Sequence, residues 1–258
     1  MVYTAEQTRH MSEQLEDWME RESRLTTDLF ALALPRAEPR EMMQHGVSRR
    51  LFDLAHGARR VFEILPPEEE DPGPQAIADA TAFLQAFVIN TFGAMDNLAW
   101  LWSLQAHITA ANGRPLPRSR IGLTPGHGDL RASLSDRTQA CLTRADPWFD
   151  YLEEYRHALA HRILLYIPPR TLDDEDTAEF WRLGAQVGHE DLDWARWGEV
   201  LAAQRRLGVF QPVMMHACGE AARPVWFHGQ MICDFATVID VGEHILADLQ
   251  ALPPEVGG

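Results

Sequence analysis

Residues 75–112 read QAIADATAFLQAFVINTFGAMDNLAWLWSLQAHITAAN. Phe83, Phe87, Asn90, Ala94, Asn97, Leu101 and Leu104 recur at helical spacing and form one stripe. Phe92, Trp100 and Trp102 fall elsewhere around the cylinder. A continuous helix here would be about 57 Å long at 1.5 Å per residue, and Gly93 is the expected place for a bend. A helix apolar all round needs partners all round, so part of this surface is expected to meet a second subunit. From Ala80 to Gly113 the only formal charge is Asp96. Gln85, Asn90, Thr91, Asn97, Ser103 and Gln105 share that stretch, and a bilayer span carries so many polar groups only at considerable cost. The stretch therefore reads as the buried central helix of a bundle, with no membrane partner. Asp96-Asn97, if buried, must be hydrogen-bonded. The pair either pins helix packing or lets Asp96 orient a functional side chain across the bundle.

Working outward, the flanking segments are also helical. Leu15, Trp18, Met19, Leu25, Leu29 and Leu32 give a helix over 4–34, stopped by Pro35 and Pro39. Met43, Val47, Leu51, Leu54, Ala58, Val61 and Leu65 give a second over 40–65. The acidic run 66–74 is too short for a domain linker. Residues 113–130 form a Gly/Pro/Arg loop, and Ser133 or Ser135 can cap a short helix ending near Leu142. Asp146-Pro147 opens a helix over 147–165. Helical patterns follow at 177–187 and 190–207. The period then changes: 209–216 and 225–228 look extended and predict a β-hairpin near 209–228, with 164–167 as a candidate third strand. A last helix covers 233–251. The expected fold is mainly all-α, a helical bundle with a small β-hairpin insertion, in a single domain over 1–258.

Composition narrows the function classes. The chain carries 38 acidic against 23 basic residues, a net charge of −15, and every basic residue is arginine. An acidic chain without lysine excludes generic DNA coating, Schiff-base lysine chemistry and a P-loop lysine. Three cysteines are sparse and odd, which suits a reducing compartment. The first residues show no basic stretch followed by an apolar one, so the expected location is cytoplasmic.

The segment richest in chemistry is Tyr155-Arg156-His157-Ala158-Leu159-Ala160-His161-Arg162. On a helix with Arg156 set at 0°, Trp148, Leu152, Leu159, Ile163 and Tyr166 fall between about 280° and 340°, the core face. His157 falls near 100° and His161 near 140°, one turn apart on a non-core side. Imidazole exchanges protons near neutral pH, and guanidinium grips phosphate oxygens. Together they suit metal-independent cleavage of RNA phosphodiesters. Ornament on a solvated face is the competing reading.

Arg156-His157-x-x-x-His161 resembles the R-polar-x3-H motif of the HEPN superfamily. The resemblance covers these six residues in detail and 40–165 in helical order. It implies an all-helical, often dimeric fold and a metal-independent endoribonuclease, in which Arg156 and His161 are the catalytic pair and His157 assists. It also implies a toxin–antitoxin or antiphage setting, with an antitoxin as a partner. Other members bind nucleotides or act as non-catalytic interaction modules, and that alternative stays open. Some family toxins carry a modified tyrosine two residues after the motif histidine; here that position is Ile163.

Arg114, Arg118 and Arg120 are the candidate substrate-binding residues. With Arg131, Arg137 and Arg144 against Asp129 and Asp136, they leave residues 113–144 with a local excess of four positive charges. Either this loop contacts phosphate or its arginines pair with acids elsewhere. His216, Cys218, His228 and Cys233 invite a zinc reading, but lack a Cys-x2-Cys pair. His216 and His228 could instead border a pocket with Gln211 and Asp234. Trp194 and Trp197 read as core. No cofactor and no metal is called for.

Overall fold

The computed structural model describes residues 2–110, 112–161, 164–187, 193–216 and 224–253, with the backbone alone at 154 and 156–161. The architecture is mainly helical, with one two-stranded antiparallel hairpin. Helix α1 (Ala5–Phe30) starts at a capping box: Thr4 Oγ1 accepts from the Gln7 amide at 3.2 Å, and Gln7 Oε1 accepts from the Thr4 amide at 2.8 Å. Helices α2 (Ala37–Glu41) and α3 (Ser48–Ile64) are joined by a π-helical turn over Met42–Val47. The Ser48 hydroxyl donates to the Met43 carbonyl at 2.9 Å inside that turn. A side chain at Gly46 would meet Met42 Sδ at 2.6 Å and Asn97 Nδ2 at 3.0 Å, so Asn97 closes over the turn.

The central helix α4 (Pro74–Gln105) is unbroken at Gly93. That glycine is a place of close approach. The Arg50 guanidinium carbon lies 2.3 Å from where its Cβ would be, and Arg50 Nη1 donates to Asn90 Oδ1 at 2.8 Å. The helix ends at Gln105, short of the expected 112. There Arg36 Nη2 donates to the carbonyls of Leu104 at 2.7 Å and Gln105 at 3.0 Å, and His107 takes a left-handed φ of 53°. By length and composition α4 could cross a bilayer, and 28% of its most apolar window is buried. Its neighbours are α3, the π turn, α7 (Asp146–His161) and α10 (Phe227–Gln250), which place it at the centre of the bundle.

Short helices α5 (Gly128–Arg131) and α6 (Asp136–Arg144) lead into α7. Ser135 caps α6, and its amide donates to Asp248 Oδ2 of α10 at 3.0 Å. Helices α8 (Asp174–Gly184) and α9 (Trp194–Gln204) pack chiefly on each other, capped by Asp173 and Asp193. Trp194 is 71% exposed and Trp197 41%, which overturns their reading as core residues. Strands β1 (Val213–Met214) and β2 (Val225–Trp226) pair in the register Val213↔Trp226 and Met214↔Val225. The expected third strand is reduced to a single bridge, Tyr166↔Met215. Phe227 and His228 belong to α10, which starts six residues before the expected 233. A contiguous apolar core runs from Leu25 through α3, α4 and α7 to Leu249.

Candidate functional site

The motif occupies the second half of α7, and structure holds that helix at both ends. At its start, Arg131 Nη2 donates to Asp146 Oδ1 at 2.6 Å, and Arg131 Nε donates to the Leu123 carbonyl at 2.7 Å. Just past its end, Gln85 Nε2 of α4 donates to the Leu165 carbonyl at 2.6 Å. Tyr166 and Met215 exchange backbone hydrogen bonds at 2.9 and 3.0 Å. Phe149, Leu152 and Tyr155 are buried, while Asp150 and Glu153 are exposed. In the helical register above, the buried residues fall at about 20°, 320° and 260°, and the exposed pair at about 120° and 60°. Positions 157 and 161, at about 100° and 140°, belong to the register of the exposed pair. Position 156 continues the row of Phe149, one heptad on. The side chains of Arg156, His157 and His161 lie outside the described residues, as do Arg162 and Ile163.

Facing the buried side is Asp234, which the sequence offered only as a pocket border with His216, His228 and Gln211, without its partners on α7. Asp234 on α10 is 1% exposed. Its Oδ1 accepts from Trp148 Nε1 at 2.8 Å and from Gln230 Nε2 at 2.6 Å. Burial pushes its pKa up to about 6, and the two donors pull the other way. Next along α7, the rings of Tyr151 and Tyr155 lie 4.7 Å apart. Burial raises the Tyr151 phenol, with the Asp234 charge adding to it. The His216 ring then meets Tyr155 edge-on at 4.4 Å. The groups Asp234, Trp148, Tyr151, Tyr155 and His216 therefore line the face of α7 opposite the register of His157 and His161. An aspartate within the apolar run Met231–Phe235 was the available signal for this cluster. Its partner Trp148 is 86 residues away in sequence.

The other candidates are dispersed. His228 is fully buried, with Nε2 donating to the Leu65 carbonyl at 2.6 Å and its ring against Tyr3, Phe62 and Phe227. Desolvation lowers its pKa to about 4. It is a packed core histidine, apart from Asp234 and its Trp148 and Gln230 donors. Among the described residues no three histidine, cysteine or acidic side chains gather as a metal site, and Cys218 lies outside them. Arg114, Arg118 and Arg120 are exposed, and Arg120 pairs with Asp129. Their loop is fastened to the first turn of α7. Arg156 and His161 sit about 15 and 22 Å further along the axis at 1.5 Å per residue. Within the loop region, Arg131 and Arg120 are thus spent on Asp146 and Asp129, which answers part of the local charge excess.

Comparison of the chain with protein-family models, with curated proteins and with solved structures gave no match.

Proposed function

We propose that the chain is a metal-independent endoribonuclease of HEPN type, working as a dimer, with Arg156 and His161 as its catalytic pair and His157 assisting. One observation carries the reading. The R-polar-x3-H segment continues a helix whose packed face is filled by Phe149, Leu152 and Tyr155, so positions 157 and 161 fall in the row of exposed Asp150 and Glu153. In this reading an imidazole removes the proton of the ribose 2′-hydroxyl, whose oxygen attacks phosphorus. Arg156 neutralises the charge gathering on the phosphate oxygens. The 5′-oxygen leaves with a proton from the second group, giving a 2′,3′-cyclic phosphate and a 5′-hydroxyl. RNA or a nucleotide is the ligand, and an antitoxin is a proposed partner.

Asp150 and Glu153 also favour a second reading. Carboxylates one and two turns before His157 repel a polyanion, so the motif would hold a single phosphate group or seal an interface without cleaving anything. Purified protein incubated with mixed RNA in chelator, beside Arg156→Ala and His161→Ala, separates the two. The enzyme reading expects cyclic-phosphate ends from the parent chain and at least about a hundredfold less from each variant. Equal background cleavage from all three proteins overturns it.

A further inference from the structure

The acidic loop after α3, the first turn of α4, the segment 169–172 and the α8–α9 hairpin surround a cleft of about 570 Å³. Its apolar walls include Ile77, Phe180, Leu201 and Leu207. Helix α8 has no buried residue and α9 has only Val200, so the hairpin meets the bundle across an opening instead of a filled core. Two guanidinium groups line this opening, in different states. Arg170 is committed: Nη2 donates to Asp71 Oδ1 at 2.6 Å, and Nη1 donates to the Gly208 carbonyl at 2.8 Å. Arg205 is exposed and makes no ion pair among the described residues.

We propose that this cleft binds a small apolar molecule bearing one carboxylate, with its hydrocarbon against Ile77, Phe180, Leu201 and Leu207 and its carboxylate on Arg205. The volume lies in the range of small-molecule sites, and apolar walls with a few polar groups, here Arg205 with Arg170, Asp71 and Gln204, are the usual make-up of such sites. Carboxylate is one of the anions that match a guanidinium fork, and Arg170 in the same cleft already holds Asp71 through one such contact. The flanks select for a single charge. Glu68-Glu69-Glu70 precede Asp71, and Asp173-Asp174-Glu175-Asp176 open α8. Those carboxylates repel a polyphosphate or RNA, while a monoanion needs only the local field of Arg205. The site is independent of the ribonuclease reading, because it uses no residue of α7.

Decanoate and decan-1-ol, titrated separately into the full chain and followed by tryptophan fluorescence, test the assignment. Trp181 reports on the cleft, its ring 5.7 Å from that of Phe180. Saturable binding of decanoate, tighter than that of the alcohol, is expected. Arg205→Gln is expected to weaken decanoate about tenfold and leave the alcohol unchanged. Leu201→Trp or Ile77→Phe, which fill the cleft, are expected to weaken both ligands. Equal affinity for acid and alcohol, absence of saturation at millimolar decanoate, or binding indifferent to both filling variants overturns the proposal.

Discussion

Asp234 and His228 are both buried on α10 and titrate in opposite senses. Asp234 has its pKa raised to about 6, so its protonated form is favoured by folding. The stability this gives is full below the ordinary aspartate range and is lost as pH rises through about 6. His228 has its pKa lowered to about 4, so its neutral form is favoured. Its contribution is full above the ordinary histidine value and is lost as pH falls through about 4. Each shift of roughly two units corresponds to about 3 kcal/mol. Between pH 4 and 6 the two slopes cancel, and urea unfolding of the parent chain should vary little from this pair. Asp234→Asn should make stability rise with pH across that window by about 2–3 kcal/mol, and His228→Gln should make it fall by a similar amount. Two variants that track the parent curve in parallel would remove both titrations from the fold. At Gly242 the argument is steric: a side chain there would meet Leu25 Cδ2 at 2.7 Å, where α10 crosses α1. Gly242→Ala should cost about 1–3 kcal/mol in the same denaturant titration.

Among the elements, α4 has an end set by another part of the chain. Arg36, beyond the end of α1, supplies donors to the last carbonyls of α4 and places a positive charge at the negative end of its dipole. Arg36→Ala should therefore lower stability by about 1–2 kcal/mol, with a loss of helical circular dichroism concentrated in early thermal fraying. This is also why that end was not legible. Residues 106–112 continue an apolar helical pattern, and the interaction that stops them comes from 68 residues upstream. The start of α10 misleads for a different reason. Val225-Trp226-Phe227-His228 is made of strand formers, yet Phe227, Met231, Phe235 and Val238 keep helical spacing and are buried. Burial along that face outweighed local β preference. By contrast the helical character around α1, α3 and α7 was readable, because each buries an apolar stripe: Leu25 and Leu29, Leu51 and Leu54, and Phe149, Leu152 and Tyr155. The ends were not, since α1 stops at Phe30 and not 34, the expected 40–65 helix is divided by a π turn, and α7 ends at His161 and not 165. On α7 the helix that carries Arg156, His157 and His161 was legible from spacing. The Asp234–Trp148 contact behind it was not, since no periodicity links an α10 carboxylate to an α7 indole.

At the scale of the whole molecule, exposed apolar side chains stand on the outer side of α3 and α4. Arg50 reaches Asn90, the His56 ring meets Phe83 at 5.7 Å, and the Phe52 ring stacks on His56 at 6.2 Å. Phe52 is 66% exposed and Ile89 51%. Exposed large apolar groups on an apolar helix are characteristic of a protein interface. The chain's net charge of −15 makes self-association unfavourable at long range, so contact between copies must come from a neutral patch. From Phe83 to Asn97 the outer side of α4 offers one, with Asp96 its only carboxylate. The second-copy reading therefore expects a dimer that tightens with salt, as charge repulsion is screened while apolar burial is not. Sedimentation of the parent chain at micromolar concentration should show a dimer, and Phe52→Glu with Ile89→Glu should give a monomer with unchanged circular dichroism. A parent chain that sediments as a monomer at all salt concentrations would falsify the dimer. The same double variant also tests how the motif is used. If the cleft draws residues from two copies, the monomer should lose RNA cleavage together with dimerisation; a fully active monomer would confine the chemistry to one α7.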